Sequence, residues 1–118
     1  MTSPAVTAPK PRMAAIGTFD GVHTGHRAML ADLARVSAEA GFSPVAVTFS
    51  RHPLEIIAPQ RAPRLLMPAD SRIGALRQAA GDVIVLDFDE KMRALTAQQF
   101  MTMLRDDYNV GAVYMGFN

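Results

Sequence analysis

Met13-Ala14-Ala15-Ile16-Gly17-Thr18-Phe19-Asp20-Gly21-Val22-His23-Thr24-Gly25-His26 passes from an apolar run through a glycine-rich turn into a helical pattern, and that passage decides the fold. Met13 to Thr18 is short and apolar and is closed by Gly17 and the turn formers Asp20 and Gly21, which predicts a buried first strand that stops abruptly. From Gly25 to Ala40, Met29, Leu33, Val36 and Ala40 recur at helical spacing while Arg27, Asp32, Arg35 and Glu39 fall elsewhere. Gly41 supplies the stop, so this segment predicts an amphipathic helix. Pro44 to Phe49 is a second β-branched run of strand length. Strand, turn, helix and strand in that order make the right-handed βαβ unit of a parallel sheet.

The alternation continues beyond an irregular stretch from Ser50 to Pro68 that holds Pro53, Pro59, Pro63 and Pro68. Ala69 to Ala80 predicts a helix with Ile73, Leu76 and Ala80 on one side, ended by Gly81, and Val83 to Leu86 predicts a third strand. Asp89 to Leu95 suits a helical turn. Thr96 with Gln99 is a capping box opening a helix through Phe100, Met103 and Leu104 to Asp107, and Ala112 to Met115 predicts the fourth strand. The expected fold class is α/β, a Rossmann-like doubly wound parallel sheet with helices on both faces. The last strand delivers a new loop where the sequence stops, so the domain at 13–118 is expected to be incomplete, preceded by a flexible leader at 1–12.

Composition bounds the function. The 118 residues suffice for one packed core, and 49% of them are apolar. A net charge of +1 with interspersed signs gives no field to attract nucleic acid or an anionic membrane. The absence of cysteine removes disulfides, thiol catalysis and zinc-thiolate sites. The leader lacks the apolar run of a secretory signal and no stretch has the length of a membrane span, so a cytoplasmic location is expected. The methionines at 29, 92, 101, 103 and 115 and Phe88 read as packing.

The turn itself carries chemistry. It joins a strand end to a helix start, where free backbone N–H groups and the positive end of the helix dipole favour a phosphate. Gly25 lets the backbone approach an oxyanion closely, and His23 and His26, three residues apart across a helix entry, can converge on one phosphate group. Such a site suits nucleotidyl transfer, whose nucleophile is already anionic near neutrality. The protein then needs no serine, cysteine or strong base and acts by positioning and by stabilising charge on the phosphates, aided by magnesium.

His23-Thr24-Gly25-His26 resembles the HxGH signature of the nucleotidyltransferase superfamily, and the longer string from Gly17 to His26 is similar to that of bacterial FAD synthetases. The resemblance implies that His23 and His26 contact the ATP phosphates, with Gly17, Thr18, Phe19, Asp20, Gly21 and Gly25 forming the rest of the turn around ATP. Asp20 is equally well read as a turn residue. Thr48-Phe49-Ser50-Arg51-His52-Pro53 resembles the family's Thr-Phe-Asp-Pro-His-Pro loop, which implies a flavin site at Phe49, His52 and Pro53; Ser50 and Arg51 depart from the pattern. Arg64-Leu65 resembles an Arg-Leu-Thr segment, and Arg51, Arg61 and Arg64 form a loose basic cluster. Leu95-Thr96 through Phe100 is similar to a Leu-Ser-x-x-x-Phe stretch. Met115-Gly116-Phe117-Asn118 looks like the start of a Gly-x-(Asp or Asn)-x-x-Phe-Gly motif, which would put Asn118 near the nucleotide.

The resemblance implies an FMN adenylyltransferase with ATP and FMN as substrates, FAD as product and Mg2+ carried by the nucleotide phosphates, with no metal site of its own. The family's later Ser/Thr/Arg signature and the riboflavin kinase domain that commonly follows have no counterpart in these residues. Two other readings stay open: a different HxGH enzyme, such as a glycerol-phosphate cytidylyltransferase or a pantetheine-phosphate adenylyltransferase, and a nucleotide-binding fragment without turnover. An open sheet edge also predicts self-association.

Overall fold

The computed structural model describes residues 10–19, 24–50, 58, 60 and 69–115. Strand β1 is Arg12–Ile16, helix α1 Thr24–Ala40 and strand β2 Ser43–Phe49. Helix α2 (Ala69–Ala80), strand β3 (Val83–Leu86), the single turn α3 (Glu90–Arg93), helix α4 (Ala97–Tyr108) and strand β4 (Val110–Val113) follow.

The four strands form one sheet in the order β3-β2-β1-β4, and every pairing is parallel. Alternate residues of a strand face opposite sides, so each strand feeds two cores. Met13, Ala15 and Ala46 pack with Leu30 and Leu33 of α1 and Leu76 of α2 on one face. Ala14, Val45, Val47, Ile84, Leu86 and Val110 pack with Leu104 of α4 on the other. Burial on both faces explains why β1 and β2 read as continuous apolar runs rather than as an alternation. The expected α/β doubly wound parallel sheet is thus the fold the chain adopts.

Local chemistry sets the element ends. α1 and α2 stop at Gly41 and Gly81, whose φ values of 83° and 89° are left-handed and cost glycine nothing. α4 starts at the expected capping box: Thr96 Oγ1 accepts from the Gln99 amide at 3.1 Å and the Gln99 side chain accepts from the Thr96 amide at 2.9 Å. The Asp89 carboxylate caps α3 by accepting from the Met92 amide at 2.8 Å.

The fourth strand differs from its expected span: it runs over Val110–Val113 rather than Ala112 to Met115. Asn109 turns the chain in the left-handed region at φ 58° directly after α4, and the Arg12 amide at once donates to its carbonyl at 2.8 Å. Gly111 is the extra residue of a register shift, since Arg12 pairs with Val110 and Met13 with Ala112. A Cβ on Gly111 would stand 3.0 Å from the Phe42 ring and 3.3 Å from the Pro11 side chain. The glycine that interrupts the apolar run thus fits the close approach of Phe42 and Pro11 to this strand.

The strand order sets which edge of the sheet a ligand would approach. From β1 the chain moves outward through α1, β2, α2 and β3 with both helices on one face, then crosses back over the other face by α4 to reach β4. The direction of winding reverses between β1 and β4, and ligands of open parallel sheets bind outside the carboxyl ends of the strands at such a reversal. The segment that leaves β1 there is the Gly17 to His26 turn.

Candidate nucleotide site at the carboxyl ends of the strands

Gly17 continues from β1 and its amide donates to the Val47 carbonyl at 3.0 Å, so the turn starts from a fixed root. The Thr18 carbonyl accepts from the Thr48 hydroxyl at 3.1 Å and from Arg72 Nη1 at 2.8 Å. Phe19 then adopts φ 53°, a left-handed conformation that is unfavourable for a bulky side chain and gathers at functional turns. Its ring is 4% exposed and belongs to the core under α1.

His26 occupies the first turn of α1 and is half-buried. Its imidazole meets the Phe19 ring edge to face, with centroids 5.5 Å apart at 73°. The strained residue at the start of the turn and the histidine at its end are therefore in contact, which closes the turn on itself. Thr24 and Gly25 form the first residues of α1, whose first turn carries no acidic side chain to compete with an anion for the helix amides. Asp20, Gly21 and His23 lie outside the described residues, as does Asn118 beyond β4.

At the root of the expected flavin loop, Phe49 ends β2 half-buried and meets Phe88 edge to face at 5.9 Å and 87°. The two rings line a cavity of about 280 Å³ with Met92, Leu95, Thr96 and Phe100. A larger cavity of about 430 Å³ lies against β3 between Asp87, Lys91, Met103 and Tyr108 and does not include Phe49; neither cavity contains a residue of the Gly17 to His26 turn. The smaller cavity is the one joined to the expected flavin loop, through Phe49. Ser50, the next residue, donates its hydroxyl to the Asp87 carboxylate and its amide to the Leu86 carbonyl at 2.9 Å, which ties the start of that loop to the end of β3. His52 and Pro53, together with Arg51, Arg61 and Arg64, lie outside the described residues.

Two residues at this edge escape a reading by pattern. Arg72 is 2% exposed and Thr48 fully buried, and both act on the root of the turn. The signal for Arg72 is its position four residues before Leu76, on the stripe of α2 that faces the sheet. Phe88 reads as packing and packs, but its ring contact is Phe49, and both rings line the cavity. Among the described residues no group of three or more His, Asp or Glu side chains stands together as a metal site, and no helix is long and apolar enough to cross a membrane.

The family model for FAD synthetase matches residues 6–118. The bifunctional riboflavin kinase/FMN adenylyltransferase of Pseudomonas fluorescens is 36% identical over 95 residues, covering 80% of this chain and 30% of that protein. The corresponding Escherichia coli K12 protein is 37% identical over 90 residues, covering 75% of this chain and 29% of its own length, and that of Bacillus subtilis 29% identical over 106 residues, covering 88% and 34%. The chain thus spans about a third of the length of these curated relatives. A crystal structure titled macrolide-efflux protein, from Streptococcus pneumoniae, superposes with a TM-score of 0.69 at 24% identity over 91% of this chain and 42% of that one, a likeness of fold alone. With the turn leaving β1 at the winding reversal and a family match over nearly every residue, the chain belongs to the FAD synthetase family.

Proposed function

We propose that this chain carries the FMN adenylyltransferase site of its protein, converting FMN and ATP to FAD and pyrophosphate. The observation that carries the reading is the Gly17 to His26 turn, which leaves β1 at the reversal of the sheet and closes through the Phe19–His26 contact. In the reaction a phosphate oxygen of FMN attacks the α-phosphorus of ATP. The new P–O bond forms as the bond to the β-phosphate bridging oxygen breaks, and pyrophosphate leaves with that electron pair. The nucleophile is ionised at neutral pH, so orientation and charge stabilisation suffice.

His23 and His26 would donate to the ATP phosphates, and the amides at the start of α1 would add partial positive charge that needs no reorganisation during the reaction. Gly17, Thr18, Phe19, Asp20, Gly21 and Gly25 would shape the turn around the nucleotide, and Asn118 would approach it from the end of β4. Phe19 serves through its backbone and through the ring that supports His26. Magnesium would arrive with ATP and supply positive charge at its phosphates. The isoalloxazine ring would stack in the aromatic cavity between Phe49, Phe88 and Phe100, with His52 and Pro53 on the loop that follows. We place the enzyme in the cytoplasm.

The test is FAD formation from FMN and ATP by the full-length protein, resolved by chromatography with release of pyrophosphate followed in parallel. Quenching of FMN fluorescence on binding separates this reading from another nucleotidyltransferase of the same superfamily. An intact protein that neither quenches flavin nor forms FAD does not have this function.

A further inference from the structure

Arg72 lies in the first turn of α2 and is buried on the stripe that also holds Leu76. Burying a guanidinium is costly, and the usual remedy is a carboxylate. No ion pair among the described residues includes Arg72. Among the described residues its terminal nitrogens donate instead to neutral oxygens, while Nε is buried without a hydrogen-bond partner. Nη1 donates to the Thr18 carbonyl at 2.8 Å and to Thr48 Oγ1 at 2.7 Å, and Nη2 donates to the Phe49 carbonyl at 2.7 Å. The Thr48 hydroxyl donates in turn to the same Thr18 carbonyl at 3.1 Å.

These acceptors are the roots of two loops. Thr18 is where the chain leaves β1 for the histidine turn, immediately before Phe19, on which His26 rests. Phe49 is where the chain leaves β2 for the segment that holds His52. One guanidinium spans both, at sequence separations of 54 and 23 residues. Anchoring α2 to the sheet requires no charge, since an aliphatic residue on the same stripe would bury without a desolvation cost. What the planar fork adds is a fixed distance and angle between two backbone carbonyls, which an ammonium or an apolar group cannot impose.

We propose that Arg72 is a positioning residue for nucleotidyl transfer, holding the nucleotide turn and the flavin loop in mutual register through the Thr18 and Phe49 carbonyls. The inference rests on the function proposed above. Its primary readout is nonetheless independent of that function, because the register of the turn is visible in the environment of the His26 ring.

The experiment compares Arg72→Met, Arg72→Lys and Thr48→Val in the full-length protein. It reads the His26 ring proton shifts, assigned by their loss in His26→Gln, together with far-UV circular dichroism, kcat and the KM for each substrate. In Arg72→Met the His26 protons lose the shift imposed by the Phe19 ring, and kcat falls on the order of 10²-fold, the penalty of a misplacement near 1 Å, with a native far-UV spectrum. Arg72→Lys recovers part of both, and Thr48→Val moves both in the same direction by less. If Arg72→Met does not fold, Arg72→Lys and Thr48→Val decide alone. Folded variants whose His26 shifts and kcat match the parent overturn the proposal. Should the parent protein form no FAD, the proposed function fails and the His26 shifts alone judge Arg72: displaced shifts uphold its hold on the turn, and unmoved shifts refute it.

Discussion

Replacing Phe19 by alanine and, separately, by glycine separates what its ring contributes from what its backbone costs. The ring is 4% exposed, packs among Leu30, Leu33 and Met13, and supports His26 at 5.5 Å. Truncating such a ring costs about 3–5 kcal/mol in both variants. They differ in the backbone. Alanine keeps a Cβ at φ 53°, a conformation that costs an L-residue about 1–2 kcal/mol, whereas glycine adopts it freely and gives back about 0.5–1 kcal/mol through the greater entropy of its unfolded chain. Glycine should therefore be the more stable of the two by about 0.5–1 kcal/mol, against the usual ranking. Urea denaturation followed by far-UV circular dichroism suits a chain without tryptophan. With a slope of about 1–3 kcal/mol per molar urea, the glycine midpoint should lie a few tenths of a molar above that of alanine. A glycine variant that unfolds first, by the margin normal for an ordinary backbone position, would refute the strained turn and with it the support it gives His26.

Other substitutions probe the frame around the site. Leu104→Ala empties a fully buried position between α4 and the sheet and should cost about 2–5 kcal/mol in the same denaturation assay. Thr96→Ala removes half of the capping box of α4 and should lower stability by about 1 kcal/mol, read as a drop in melting temperature. Gly111→Ala drives a Cβ toward the Phe42 ring and should cost about 1–3 kcal/mol, which Phe42→Leu in the same chain should partly relieve. Tyr114 donates to the Asp32 carboxylate; this bond, with the neighbouring Arg35, holds the carboxyl below its ordinary pKa, and the same bond holds the Tyr114 hydroxyl above its own. The Asp32 contribution is present above the unfolded carboxylate pKa of about 4 and is lost as pH falls through the lower folded value; the Tyr114 contribution is present below about pH 10 and is lost as pH rises through the higher folded value. Tyr114→Phe should raise the Asp32 pKa in an NMR titration and flatten stability at both ends of the pH range.

Much of this fold was legible because a parallel sheet covered on both faces writes its strands as unbroken apolar runs. β2, α2 and β3 emerge from Pro44 to Phe49, Ala69 to Ala80 and Val83 to Leu86 with little change, and the Thr96–Gln99 capping box marks the start of α4. β4 was displaced because Gly111 breaks its run, and the need for that glycine lies in Phe42 and Pro11, far away in sequence. The left-handed turn at Phe19 has no signature, because aromatic residues do not advertise positive φ. The role of Arg72 has no sequence signature for a related reason. Periodicity records which side of a helix is apolar, whereas the acceptors of this guanidinium are the Thr18 carbonyl just beyond β1 and the Thr48 hydroxyl and Phe49 carbonyl of β2, fixed only when the sheet assembles. Of the candidate site, His26 and Phe49 appear at the carboxyl edge of the sheet, while His23, His52, Pro53 and Asn118 fall outside the described residues.

The most direct test of the nucleotide site is the rate of FAD formation by the full-length protein before and after His26→Ala, at saturating FMN and ATP. If His26 donates to a phosphate as charge develops on it, the substitution lowers kcat by about 10²-fold, equivalent to roughly 3 kcal/mol, while far-UV circular dichroism and flavin quenching are retained. A folded His26→Ala protein that forms FAD at the parent rate contradicts the site, because no phosphate then depends on the imidazole that this turn presents.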